Sequence, residues 1–455
     1  MTSDDAAGVS QHGEPNLDAD YGDSAPSSAA IGFYTYSYLY APNTGRDSNF
    51  FSLTGAYKGE TEGSTFQAKG DFEGVAVIKP ATTWTIEAPE AYIGTSSELS
   101  EVVQVKLGRE LHHFSHLDEE FQMGIWEPRF RWDYVHPQTI GLAGMHVDVQ
   151  TKNFQFTAMG SPIFVPDRGI PVNFTNNGIY SIDPYFNSPA TTIMYQGVAT
   201  PVSYNLDRPS TSAILFHPGA SALARVGQDD GAWASAGYAF QPMNQLLYSY
   251  SWYDSVAINS QGGNATLYPR VAYHQMMSFE TGYETKSVGG WVSELEDRPI
   301  DHPTIGDDSQ EVSASHALGP SIEYRFGDVR NAPTKMRLSG MKQWGGNAPD
   351  SGPDTTGSGS VFENRYFSQT AAIFYIESPL TVIGFRNASM SYRMLDDIQH
   401  QGTIQSTDLY YNFSRGFIVN LGADILSSSE DSSAPDPISE YRADDRVRLG
   451  VSYVF

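Results

Sequence analysis

From Arg446 to Phe455 the chain alternates residue by residue. Val447, Leu449, Val451, Tyr453 and Phe455 share one face of an extended strand, and Arg446, Arg448, Gly450 and Ser452 share the other. Successive side chains of a strand point to opposite faces, so this segment has an apolar face backed by one that carries two arginines. The pattern recurs. Phe51, Leu53 and Tyr57 alternate with Ser52, Thr54 and Ala56. Leu246, Tyr248, Tyr250 and Trp252 alternate with Leu247, Ser249, Ser251 and Tyr253. Phe417, Val419, Leu421, Ala423 and Ile425 alternate with Ile418, Asn420, Gly422 and Asp424. Arg and Asp on the second face do not suit a dry sandwich core, because a buried charge is costly unless paired. They suit a wet lumen, with the apolar face turned to lipid.

The chain has no run of about 18 apolar residues, which excludes an ordinary membrane-spanning helix. The other structure that satisfies every backbone N–H and C=O inside a bilayer is a closed β-barrel. A length of 455 residues would otherwise suggest several soluble domains. The 42 Gly, 27 Tyr, 24 Phe and 7 Trp, however, are spread evenly from residue 31 to the end, with no linker between separate cores. No fixed repeat of propeller type is present. Aromatics gather at segment ends, as at Phe33-Tyr34-Thr35-Tyr36 and Tyr453-Val454-Phe455, where interfacial girdles form. The expected fold is therefore all-β, a transmembrane antiparallel up-and-down barrel over 31–455.

Long and short connections alternate along this stretch. Links near 59–63, 150–152, 285–287, 378–380 and 414–416 are short, and those near 110–137, 161–191, 295–311, 343–366 and 427–442 are long. Short periplasmic turns and long extracellular loops are the habit of such barrels. Counting from both ends gives 18–20 strands. The range comes from 192–202 and 211–226, whose pattern is weak and which contain Pro201 and Pro218, residues unsuited to a strand interior.

Residues 1–30 are acidic and polar and have little to bury, so they are expected to be disordered or held by a partner. They lack the basic and apolar regions of a signal peptide, and a barrel of this kind is expected to have lost its signal. There are no cysteines, so disulfides and thiolate metal sites are excluded. A net charge of −26 argues against nucleic-acid binding, which needs a basic surface. It fits acidic loops bridged by divalent cations or a lumen that favours cations.

The ending Arg-Val-Arg-Leu-Gly-Val-Ser-Tyr-Val-Phe resembles the last strand of bacterial outer-membrane porins, which ends in Phe after alternating apolar residues. Val105-Lys106-Leu107-Gly108-Arg109 is similar to the strand that precedes the third loop in many of them. The resemblance implies a bacterial outer-membrane location, contact with the lipid bilayer and lipopolysaccharide, and passive passage of small hydrophilic solutes. It also implies a third loop that folds inward to narrow the channel, and a homotrimer or another outer-membrane protein as partner. No substrate-specific family is indicated. The alternative is a plugged barrel acting as scaffold for a lipoprotein or secretion partner through 1–30 or 161–191.

The loop at about 110–137 holds His112, His113, His116, Asp118, Glu119 and Glu120, with Arg129 and Arg131 further on. Folded inward, the acids facing Arg109, Arg129 or Arg131 would set a transverse field at the constriction. If the segment is helical, His112 and His116 lie at i and i+4 and could hold Zn²⁺. A solvated charged loop at the barrel mouth is the remaining reading. The stretch 294–311, with Glu294, Glu296, Asp297, Asp301, Asp307, Asp308 and Glu311, could hold Ca²⁺ or Mg²⁺ but matches no defined Ca²⁺ loop, so a solvated loop is expected. The aromatic, Pro-rich stretch 161–191, with Phe164, Phe174, Tyr180, Tyr185 and Phe186, should pack on the barrel interior or on a partner. No nucleophile motif such as GxSxG occurs, so no enzyme activity and no cofactor is expected.

Overall fold

The computed structural model describes residues 27–455 apart from 40–48, 80–82, 170–171, 176–177, 182–184, 186–191, 196–197, 229, 252–262, 301–307, 310–311, 329–331, 347–365, 367, 386, 414–415, 430–437, 439–440 and 442–443. Most of the N-terminal segment 1–30 therefore lies outside the described residues.

Eighteen strands form one sheet. They are β1 (Ser27–Tyr38), β2 (Asn49–Glu62), β3 (Phe66–Lys79), β4 (Thr83–Thr95), β5 (Val103–Glu110), β6 (Leu142–Thr151), β7 (Phe154–Ser161), β8 (Gly219–Gly227) and β9 (Gly231–Pro242). The second half comprises β10 (Tyr273–Glu284), β11 (Val288–Pro299), β12 (Ser315–Asp328), β13 (Ala332–Gly345), β14 (Thr370–Pro379), β15 (Ala388–Asp397), β16 (Gly402–Asn412), β17 (Phe417–Ser428) and β18 (Arg446–Val454). Each strand pairs antiparallel with the next, and β18 returns to β1 with Ala30 opposite Val454 and Tyr38 opposite Arg446. The ring leaves no edge strand, as an all-β structure in lipid requires.

The alternation in the sequence becomes the two faces of this wall. On β18, Leu449 and Val451 are 45% and 44% exposed on the outside, whereas Arg446 and Arg448 are 3% and 1% exposed within. On β17, Phe417, Leu421 and Ile425 face out, and Asn420 and Asp424 are buried inside.

One boundary needs correction, and the strand count falls within the expected range. The first strand begins at Ser27, four residues before the anticipated start at 31, with Ser27 opposite Gly59 and Ser28 opposite Lys58. Ladder hydrogen bonds come from the backbone, so the small residues Ser27–Ala30 pair without showing an apolar pattern. The wall has eighteen strands, at the low end of the expected range. Of the two weak segments, 211–226 supplies the short helix Thr211–Leu215 and then β8, while 192–202 contributes to a separate small sheet in the loops.

That sheet consists of Thr192–Tyr195, Val198–Leu206, Gly263–Arg270, Leu247–Ser251 and Asp308–Ser309. Val198–Leu206 runs parallel to Gly263–Arg270, and Val202, Tyr204 and Leu267 form its small core. The alternating stretch beginning at Leu246 therefore belongs to a loop sheet and not to the wall. Leu247 is buried beside Met243, Ala272 and Val312. A sheet with unlike faces produces period-two alternation wherever it sits.

Candidate functional site

The connection 111–141, the third at its end of the barrel after the β1–β2 and β3–β4 links, leaves the end of β5 and returns to β6. It is slightly longer than the expected 110–137 because Gln138–Thr139 pairs back on Arg129–Phe130 in a small hairpin. Its one helix, α1 (His116–Glu120), is capped by Ser115, whose hydroxyl accepts from the Asp118 N–H at 3.5 Å. Asp118 and Glu119 occupy its first turn, where carboxylates complement the unpaired N–H groups.

The loop runs through the barrel interior, and its ties identify the strands it reaches. At α1, the Glu280 carboxylate on β10 accepts from the backbone N–H and engages the Nδ1 of His116, both at 2.7 Å. Ser321 on β12 donates to Glu120 at 3.0 Å, Arg337 on β13 reaches the same carboxylate at 3.2 Å, and Arg393 on β15 donates to the Glu120 carbonyl at 3.2 Å. Gln241 of β9 donates to the Trp126 carbonyl at 3.0 Å. Further along, His136 meets Asp424 of β17 at 2.8 Å, Asp133 meets Arg446 of β18 at 2.6 Å, and Gln138 bonds Glu73 of β3. β3 and β12 stand half the ring apart, so the segment crosses the lumen.

Apolar packing accompanies these bonds. Phe114 stacks on Trp126 with ring centroids 4.7 Å apart, and Leu117, Phe121 and Ile125 join them against Met276, Leu295, Ala317 and Met341 of the wall. Full burial of one such side chain contributes about 1.5–3 kcal/mol. The close approach needs a bare backbone at Gly319, where a Cβ would lie 2.4 Å from Leu117 Cδ1. The turn after α1 needs glycine for another reason, because Gly124 has φ of 68°.

The anticipated charged residues occupy different settings. Asp118 is buried and accepts from the N–H groups of Ile125 at 3.0 Å and Trp126 at 2.9 Å. Burial pushes its carboxyl above the usual range, opposed by Arg129 and by these two bonds. Glu119 bonds His113 at 2.8 Å and pushes that imidazole up to about 9. Burial works against ionised Glu119, but His113 more than offsets it and the carboxyl lies below its ordinary value. Arg129 is buried on Thr139 and the Asp118 carbonyl, and Arg131 pairs with Asp167 at 2.9 Å. Arg109 stays on β5, donating to the Ala88 carbonyl at 2.9 Å with Glu87 at 3.8 Å. The wall bases that meet loop carboxylates are thus Arg337, at Glu120, and Arg446, at Asp133.

The His112 and His116 pair does not share a helix face, because α1 starts at His116. His116 is held by Glu280, whereas His112 lies 3.0 Å from the Nδ1 of His146 on β6. The acidic stretch 294–311 is also divided. Glu294, Glu296 and Asp297 sit in β11 and meet His316, Arg298 and His274 respectively, while Asp301, Asp307 and Glu311 lie outside the described residues. From 161–191, Phe164 and Tyr185 are buried, and Tyr185 packs on Tyr134 and Tyr441. The side chains of Phe174, Tyr180 and Phe186 lie outside the described residues.

Of the residues that tie the loop down, Asp424 and Arg446 already stood on the inward face of the sequence alternation, whereas Glu280, Arg337 and Arg393 were not singled out from the sequence. These three are charges at inward positions of strands whose other face is apolar. That parity is the signal that could have found them.

No protein-family model matches the chain, and no curated protein matches it. Solved structures do. OccK2 (OpdF) of Pseudomonas aeruginosa, in complex with glucuronate, aligns with a TM-score of 0.52 at 10% identity, over 94% of this chain and 97% of that one. A BenF-like porin from Pseudomonas fluorescens Pf-5 aligns with a TM-score of 0.50 at 9% identity, over 94% of this chain and 98% of that one. At such identity the likeness speaks for the fold, and the closed eighteen-stranded ring has the fold of these outer-membrane porins.

Proposed function

We propose that the protein is a bacterial outer-membrane channel through which small hydrophilic solutes diffuse passively, narrowed by the loop 111–141. The observation that carries the reading is the crossing of the lumen by that loop, tied from Glu280 and Arg337 on one side to Asp424 and Arg446 on the other. A barrel of this strand count encloses aqueous space unless loops fill it. Acids on the loop facing bases on the wall, Glu120 toward Arg337 above all, give a transverse field at the narrowest point.

A second reading is favoured by the apolar packing of Phe114, Leu117, Ile125 and Trp126 against the wall, which suits a plugged barrel that serves as a scaffold for a partner. Planar-bilayer recording separates the two. Stepwise currents from the purified protein support the channel, and their persistent absence supports the plug. In a conducting barrel, Glu119→Gln with Glu120→Gln should shift the reversal potential toward anions. An unchanged potential would remove both carboxylates from the solute path.

A further inference from the structure

At the root of the crossing loop, three ligand-type side chains from three different backbone settings converge on one point. Glu110 is the last residue of β5, His112 is the second residue of the loop, and His146 projects inward from β6. His112 Nε2 lies 3.0 Å from His146 Nδ1 and 3.4 Å from Glu110 Oε2, and His146 Nδ1 lies 3.6 Å from the same oxygen. Donor atoms about 2.0–2.2 Å from a tetrahedral ion sit about 3.3–3.6 Å from one another. The triangle, with sides of 3.0, 3.4 and 3.6 Å, is close to that size, and an ion about 2.0–2.2 Å from each corner rests just out of its plane.

Three further features make this a built site. Glu110 Oε2 is buried without a hydrogen-bond partner, whereas Oε1 is engaged by Lys106. A buried carboxylate oxygen without a donor loses the stabilisation water gave it, and a cation is the partner that restores it. The outer nitrogen of His146 is fixed as well, since its Nε2 lies 3.1 Å from the Leu142 carbonyl. That bond places the proton on Nε2 and leaves the Nδ1 lone pair directed at the site, the outer-shell arrangement usual for a ligating histidine. Finally, Lys106 also pairs with Asp148 at 3.1 Å, so the two carboxylates outweigh the one ammonium beside the site.

We infer that Glu110, His112 and His146 bind a borderline divalent transition-metal ion of the Zn²⁺ type, clamping the root of the loop to the wall. Two imidazoles and a carboxylate suit Zn²⁺ and its neighbours better than Ca²⁺ or Mg²⁺, which take oxygen ligands. The fourth position is left to water. This site needs only the wall and the loop root, so it stands whether the barrel conducts or is plugged.

The test uses the full chain in detergent, stripped with a chelator and titrated with Zn²⁺ against a chromogenic competitor, with Co²⁺ as the spectroscopic probe. We expect one ion per chain and the visible absorption of four-coordinate Co²⁺. His112→Ala and Glu110→Gln should each weaken Zn²⁺ binding by at least the about 10- to 100-fold that loss of an outer-shell partner costs. His217→Ala, at a half-buried loop position held by the Ala213 carbonyl and the Tyr273 hydroxyl, should bind as the unaltered protein does. Because His112 lies outside the strands, its variant tests the site even if replacement of Glu110 or His146 prevents folding. Absence of stoichiometric binding, or wild-type affinity in His112→Ala, would overturn the assignment. Octahedral Co²⁺ spectra, as acidic surface loops would give, would overturn it equally.

Discussion

Replacing Asp118 with alanine removes the acceptor that holds two buried backbone N–H groups, those of Ile125 and Trp126, at 3.0 and 2.9 Å. Both belong to the segment that packs against the wall, and Ile125 and Trp126 are each 1% exposed. A buried donor left without an acceptor costs about 1–3 kcal/mol. Two such donors, partly rescued by a water in the vacated space, give about 2–4 kcal/mol against the docked loop. At about 1.4 kcal/mol per tenfold change, the equilibrium between docked and undocked loop shifts by about 30- to 700-fold. The wall does not depend on Asp118, so the heat-dependent electrophoretic mobility of the folded barrel should be unchanged. Limited proteolysis of 111–141 should accelerate, and a conducting barrel should show noisier currents. Asp118→Asn keeps one acceptor and should fall between the two. If the alanine variant were as protease-resistant as the parent, the loop would be held by its apolar packing and the bond-based reasoning would be refuted.

Two other outcomes follow from the same ties. Asp424 joins His136, Arg446 and Arg448, and Asp424→Asn leaves two buried guanidinium groups short of a counter-charge. The expected loss is about 3–5 kcal/mol, read as a lower urea midpoint for unfolding in detergent, and an unchanged midpoint would mean that water already screens the cluster. The second outcome concerns pH. Burial opposes the charged form of His116, but its hydrogen bond and attraction to Glu280 outweigh that and raise its pKa above the ordinary value. A raised histidine pKa gives docking stability that is complete below about pH 6.5 and is lost as pH rises through the raised value. Proteolysis of the loop should therefore quicken on the alkaline side, and His116→Gln should flatten that dependence. A pH-independent rate in the parent protein would dismiss the pair as a contributor.

The wall was legible because its chemistry is local. Lipid on one side and the interior on the other fix the alternation within each strand, so residues such as Leu449 and Arg448 carry their own orientation. The loop sheet around Leu247–Ser251 imitates the same signal, since two unlike faces suffice to produce it and the sequence does not say what each face meets. Folding of the third loop was less legible for a different reason. The partners of His116 and His136 lie 164 and 288 residues away, so no local spacing records them, and the i, i+4 pair His112 and His116 pointed to a helix face that α1 never forms. Yet the inward charges were visible as exceptions on otherwise regular strands. In an open water-filled tube such residues need no fixed partner, whereas here Asp424, Glu280 and Arg337 each meet a residue of the crossing loop or its immediate ties. An inward charge on a barrel strand is thus evidence about what the strand holds before it is evidence about what the pore admits. That ordering is why Glu120, on the loop and facing Arg337, is a better candidate for selectivity than Asp118, whose carboxylate is occupied with folding the loop itself.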